Sequence, residues 1–245
     1  MKGYEEVRNN QDGLLFGDLS FLVTASHELK APLALIRQLS LALETETLSL
    51  EEKTRLAQQI TLTTERALRL TTNISKATRL EDSLFELEPI NPQQICEEVA
   101  HELSPLYRAS GREIRVALRR RPLLVVANHD LLRRIILNFA DNALHYAQSE
   151  APVELAVRSH GRGAHVRMGV RDYGPEIPSD LWKRLQKNIG TSAQTLHARP
   201  QSSGLGLYIA GQFAGAMHGR IGAIRHQDGA TFYVDMGAST QLSLL

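Results

Sequence analysis

A single cysteine, Cys96, stands in a chain of 245 residues. It excludes an internal disulfide and leaves no second thiol for a metal cage, which fits a reducing compartment and a core position. No uninterrupted apolar run reaches the ~18 residues a membrane span requires. The start, Met1-Lys2-Gly3-Tyr4-Glu5-Glu6, lacks the apolar stretch of a signal peptide. The expectation is a cytoplasmic chain with no membrane segment. Charge of one sign is also lacking: 28 basic residues against 27 acidic ones leave +1 at pH 7, so no global field gathers nucleic acid or anionic lipid. Arginines do cluster at Arg112, Arg115, Arg119, Arg120, Arg121, Arg133 and Arg134, but no aromatic residue interleaves with them to stack on bases. They read as a solvated face, and no nucleic-acid partner is expected.

What remains is an ordinary globular composition, 42% apolar and 22% charged, with length enough for two modest domains. Leu15, Leu19, Leu22, Ser26, Leu29, Leu33, Ile36, Ser40 and Leu43 recur in steps of four and three, the seam of a helix with a repeat of about 3.5 residues. Leu56, Ile60, Thr63, Ala67, Leu70, Ile74 and Ala77 repeat those steps after a break at Thr45 to Leu48. Ser49 and Glu52 have the spacing of a capping box, so a second helix starts there and the two form a hairpin. A lone hairpin leaves its seam half covered, and two copies bury it as a four-helix bundle. A homodimer is expected, against the rival of a hairpin packed on its own chain.

Two prolines in Pro89-Ile90-Asn91-Pro92 end the heptads and mark a domain boundary, dividing the chain into 1–88 and 89–245. Beyond it the pattern predicts a helix from about Pro92 to Ser110 closed by Gly111, strands Ile114–Leu118 and Leu123–Ala127, and a helix from Asp130 to Ala147. Strands Val153–Arg158 and His165–Arg171 follow, then a polar region as far as Ser203. A helix at about Leu205 to Met217 and strands Ile221–Arg225 and Thr231–Asp235 close the chain. The fold class is α+β, with the hairpin followed by a two-layer α/β sandwich.

The seam places His27 outside it, exposed, with Glu28 beside it. A carboxylate that accepts a proton from one imidazole nitrogen leaves the other nucleophilic. Pro32 offers no N–H to the Glu28 carbonyl, which loosens this turn. The H-E-x-x-H of a zinc helix is absent. Asn138 and Asn142 lie one turn apart on a helix face otherwise apolar; they serve as packing polarity or as oxygen ligands for a hard cation such as Mg2+. Asp172-Tyr173-Gly174-Pro175 follows a strand and is either a turn or an acceptor for an exocyclic amine. Ser203-Gly204-Leu205-Gly206-Leu207 opens a helix whose N–H groups suit phosphate, although no P-loop is present.

Taken in order, these pieces resemble the sensor histidine kinases. Phe21 to Leu33 is similar to their phosphoacceptor box, Asp130 to Tyr146 to their N box, Asp172 to Ile177 to their first glycine box and Ser203 to Leu207 to their second. His218 to Ile221 with Gly229 to Phe232 resembles the closing segment. The resemblance runs from about Asp18 to Asp235. It implies a dimeric helical domain carrying the phosphorylated histidine and a Bergerat-type ATP-binding domain. His27 would attack the γ-phosphate of ATP with Glu28 as base. Asn142 would ligate Mg2+ beside Asn138, and Asp172 would recognise adenine. Gly174, Gly204 and Gly206 would permit close backbone approach. His145, Tyr146, Ile177, Leu205 and Leu207 would complete the nucleotide site. The stretch from about Lys187 to Ser203 would be a lid, with Lys187 and Arg199 as phosphate contacts. The partner would be the receiver domain of a response regulator.

Three residues depart from the family pattern. Ala31 sits four residues after His27, where Thr or Asn would hold a hydrolytic water, so dephosphorylation of the partner is expected to be weak. Glu176 replaces a glycine, and a positive φ there would cost about 1–2 kcal/mol. His145 replaces Lys or Arg. The last two keep alive a second class of function, a phosphotransfer or scaffold module with a degenerate nucleotide site.

Overall fold

The computed structural model describes residues 2–44, 48–80, 85–117, 123–146, 151–191 and 205–240, with side chains from Phe21 onward and excepting that of His145. The chain divides into two compact units, one built on Met1–Lys76 and the other on Ala77–Ser192 and Gly206–Leu245.

The first unit is a helical hairpin of α1 (Lys2–Leu43) and α2 (Leu50–Thr78). The capping box forms as expected: the Glu52 carboxylate accepts from the Ser49 backbone N–H at 2.8 Å, and Ser49 Oγ accepts from the Glu52 N–H at 3.2 Å. Those bonds favour the ionised carboxylate and hold its pKa below the ordinary value. All seven members of the α2 series, Leu56 to Ala77, are half-buried. Along α1, Leu29, Ile36 and Leu43 are half-buried while Leu22 and Leu33 stay 50% and 59% exposed, so one chain covers half the seam. Phe21 and Ala25, one position off the seam, are buried. Leu15 and Leu19 lie outside the described side chains. Pro32 is carried inside α1 without ending it.

The second unit is a five-stranded sheet in the order β2-β4-β5-β7-β6, with β2 (Ile114–Ala117), β4 (Val153–His160), β5 (His165–Asp172), β6 (Arg220–His226) and β7 (Gly229–Gly237). Only β2 and β4 run parallel. Buried Leu155 and Val157 of β4, Val166, Met168 and Val170 of β5, and Val234 and Met236 of β7 alternate with partly exposed neighbours except at the buried Gly169, so one sheet face is core. Helices α3 (Pro92–Ala109) and α4 (His129–Tyr146) pack on it. Tyr107 joins them, its buried hydroxyl donating to the Ala140 carbonyl at 2.8 Å; burial pushes its pKa well up. Helix α6 (Leu205–Ala216) buries Ile209, Ala210, Phe213 and Ala214. Helix α3 ends where Gly111 takes φ +68°, the left-handed closure its sequence predicts.

Two elements were not expected. Glu88–Ile90, read as a break, is a short strand, β1, antiparallel to β3 (Val125–Ala127); Pro89 sits in this two-stranded ladder, where a missing N–H costs least. The polar region after β5 contains α5 (Ser179–Asn188), whose apolar side is only Leu181, Trp182 and Leu185. The arginines read as a solvated face are largely engaged: Arg112 donates to the Leu144 carbonyl at 2.6 Å, Arg115 pairs with Glu113, Arg133 with Glu102 and Arg134 with Asp130. Arg119, Arg120 and Arg121 lie outside the described residues.

Candidate functional site

His27 is exposed on α1, as its place outside the seam predicts, and Glu28 is half-buried beside it. Ser26 donates its hydroxyl to the Leu22 carbonyl at 2.9 Å, a local bond that ties its side chain to the helix.

In the second unit, α4 positions the asparagines. Asn138 and Asn142 are both half-buried, among fully buried Ile135, Ile136, Phe139 and Ala143. Asn138 donates through Nδ2 to the Gly206 carbonyl at 3.4 Å, which brings two motifs 68 residues apart onto one another at the start of α6. A β-carbon added to Gly206 would meet nothing within 4 Å, so the backbone there faces open space. Leu205 and Leu207 on either side are buried and anchor the first turn. Gly204 lies outside the described residues.

Asp172 ends β5 and is 5% exposed. Its Oδ1 accepts from the backbone N–H of Gly174 at 3.1 Å and of Ala230 at 3.4 Å. Gly174 presses on the end of α4: a β-carbon there would stand 2.6 Å from the Tyr146 carbonyl oxygen and 3.1 Å from Asp172 Oδ1. Glycine is the residue that this approach admits. Gly229, at φ +128°, closes the other side, where a β-carbon would lie 2.8 Å from Asp172 Oδ1. Asp172, Gly174, Tyr146 and Gly229 therefore converge. Ile177 is half-buried in the loop before α5, and Lys187 is exposed in the last turn of α5. The side chain of His145, and Arg199, lie outside the described residues.

Glu176 corrects one expectation. Among the described residues only Arg162 and His218 combine a side chain with positive φ, so Glu176 bears no left-handed strain. Its carboxylate instead pairs with Arg225 of β6 at 2.6 Å, and Arg225 also donates to Ser179 Oγ at the start of α5. The loop after Asp172 takes a path that needs no glycine at this position. The sequence reading also missed Arg171, whose guanidinium sits at the same strand end.

These residues suit a nucleotide with a hard cation. A carboxylate is fixed by two amides, two half-buried asparagines share one face of α4, and the backbone at Gly206 faces open space. The donor set fits Mg2+, which prefers oxygen ligands. Among the described residues no group of three or more His, Cys, Asp or Glu could hold a metal ion.

Residues 127–239 match the family described as histidine kinase-, DNA gyrase B-, and HSP90-like ATPase. The chain is 30% identical over 237 residues to the sensor protein ChvG of Agrobacterium fabrum, covering 92% of this chain and 38% of that one. It resembles the solved structure of full-length ShkA in complex with AMPPNP, with a TM-score of 0.61 and 25% identity over 91% of this chain and 47% of that one. The fold is also that of the histidine kinase ThkA, solved in complex with the response regulator protein TrrA, with a TM-score of 0.63 and 18% identity over 97% of this chain and 66% of that one. The chain spans 19% to 53% of the length of curated relatives that it matches.

Proposed function

Because residues 127–239 carry a Bergerat-type ATPase domain and the chain is a relative of the sensor histidine kinases, we propose that it is an ATP-dependent protein histidine kinase. It phosphorylates its own His27 and passes the group to an aspartate on the receiver domain of a response regulator. Residues 1–88 serve as the dimerisation and phosphotransfer part and residues 89–245 as the ATP-binding part, both working in the cytoplasm.

Asp172 accepts from the exocyclic amine of adenine. Asn142 would hold Mg2+ through its amide oxygen, with Asn138 beside it, and the ion when bound would offset charge on the phosphates. Gly206 leaves the N–H groups of the α6 start open to those phosphates, a task the sequence motif shares with Gly204. His145, Tyr146, Ile177, Leu205 and Leu207 shape the site, and Lys187 reaches the phosphate side. His27 attacks the γ-phosphorus through one imidazole nitrogen; an N–P bond forms as the bond to the bridging oxygen breaks and ADP leaves, while Glu28 takes the proton from the other ring nitrogen. Two copies pair through the bare side of the hairpin, where Leu22 and Leu33 are exposed. The ThkA complex supports the choice of a response regulator as partner.

The observation that carries this reading is the contact of Asn138 with Gly206 in the unit where Asp172 is fixed by Gly174 and Ala230. Glu176, paired and unstrained, removes one reason for a degenerate nucleotide site. The test is incubation with ATP labelled at the γ-phosphate. Acid-labile, alkali-stable label that is lost in His27→Gln supports the reading; label that persists in His27→Gln overturns it.

A further inference from the structure

Arg171 and Asp172 are neighbours on β5, so their side chains leave opposite faces of the sheet. The Arg171 side chain, 15% exposed, turns back along the strand end, with its guanidinium carbon 4.4 Å from the centre of the Tyr173 ring. From there Nη1 donates to the carbonyl of Asp172 itself and reaches the carbonyls of Asp228 at 3.4 Å and Ala230 at 3.5 Å. Nη2 pairs with the Asp228 carboxylate. Gln227 and Asp228 make the turn between β6 and β7, Gly229 opens β7, and the next residue, Ala230, gives its N–H to Asp172 Oδ1. The turn lies against the strand end so closely that a β-carbon on Gly229 would stand 2.8 Å from both Arg171 Nη1 and Asp172 Oδ1.

We propose that the Arg171–Asp228 pair is the positioning device for base recognition: it clamps the β6–β7 turn against the end of β5 and so fixes the direction in which the Asp172 carboxylate faces a purine. Neither residue touches the base. Arg171 acts from the far face of the sheet, through carbonyl oxygens and one carboxylate, as a support held by charge-assisted bonds whose fork geometry lysine cannot reproduce. The proposal rests on the reading of Asp172 as the adenine residue. It adds that discrimination between purines depends on two residues outside the pocket, 57 positions apart.

The test uses isothermal titration of the full chain with Mg-ATP and Mg-ITP, the latter carrying a carbonyl in place of the exocyclic amine. Wild type prefers ATP, and Asp172→Asn abolishes that preference. Arg171→Ala and Asp228→Asn each lower ATP affinity about tenfold and leave ITP affinity nearly unchanged. The double variant is no worse than Arg171→Ala alone, as expected of one shared interaction. KM for ATP rises with little change in kcat, and Arg171→Lys recovers only part of the loss. Asp228 is 68% exposed, so its variant remains informative if Arg171→Ala does not fold. Folded Asp228→Asn protein that keeps the wild-type ATP-to-ITP ratio, while Asp172→Asn loses it, overturns the proposal alone. A ratio that survives in Asp172→Asn overturns the reading of Asp172 and the proposal with it.

Discussion

Gly190 and Gly211 meet backbone to backbone: a β-carbon on Gly211 would stand 2.5 Å from the Gly190 carbonyl oxygen, and Gly190 itself adopts φ +72°. The chain leaving α5 is thereby seated on the middle of α6, and a β-carbon on Gly190 would meet Ile221 of β6 at 3.0 Å as well as Gly211 at 3.1 Å. Gly211→Ala forces these backbones apart and costs about 1–3 kcal/mol, an overpacking penalty that urea unfolding would measure. An unchanged midpoint would mean that this contact is not held in solution.

His218 occupies the left-handed position after α6, at φ +58°, where the Gly219 N–H reaches back to the Ala214 carbonyl at 2.8 Å. That conformation penalises a side chain, and His218 is exposed with little packing to lose. His218→Gly is expected to raise stability by up to about 1 kcal/mol, read as a higher thermal midpoint. A lower midpoint would contradict it.

Cys96 is fully buried, and burial, with Glu97 adding negative charge, pushes its thiol up to about 12. The thiolate needed for attack is scarce at ordinary pH. Native protein should therefore resist Ellman's reagent at pH 8 and react at once in denaturant; fast labelling of the native chain would show the site to be open.

His226 has its pKa held below the ordinary 6.5, by burial first and then by the Arg171 charge, with Asp228 opposing. Neutral, its Nε2 lies 2.9 Å from Thr231 Oγ1. The unfolded chain takes up a proton at higher pH than the folded one, so folding stability falls as pH drops below about 6.5 towards the folded value. Replacing His226 with Gln should flatten that decline in denaturation midpoints taken from pH 7 to pH 5. An identical slope would remove His226 as its source.

Ala31, exposed one turn beyond His27, has no group to hold a water. Phosphorylated response regulator should lose its phosphate no faster with the chain than without it, and Ala31→Thr should accelerate the loss. Rapid hydrolysis by wild type, independent of His27, would refute this.

Patterns that repeat within one element were legible in the sequence. Ser49 and Glu52 announced their cap at three residues' distance, and the α2 series told its covered side because a helix carries its period locally. The order of the motifs was equally open to reading, since Asp172 and Gly174 hold each other across two residues. Strand β1 was not, because three residues including a proline have no period, and their ladder depends on Val125–Ala127 far along the chain. Helix α5 was hidden by its polarity, with only Leu181, Trp182 and Leu185 to mark a buried side. The contact of Arg171 with Asp228 depends on which residues the β6–β7 turn presents, and no local signal in either segment records that.

β5 is the middle strand of five, laddered to β4 as far as Arg171 and to β7 through its last residue, where Asp172 pairs with Ala230. Opening this strand means breaking two ladders at once, so it resists the small thermal excursions that fray edges such as β2 and β6. The residue proposed to read the base thus sits at the end of a strand whose body is held on both sides. Its aim can persist through many cycles of nucleotide entry and departure while elements at the rim of the sheet yield.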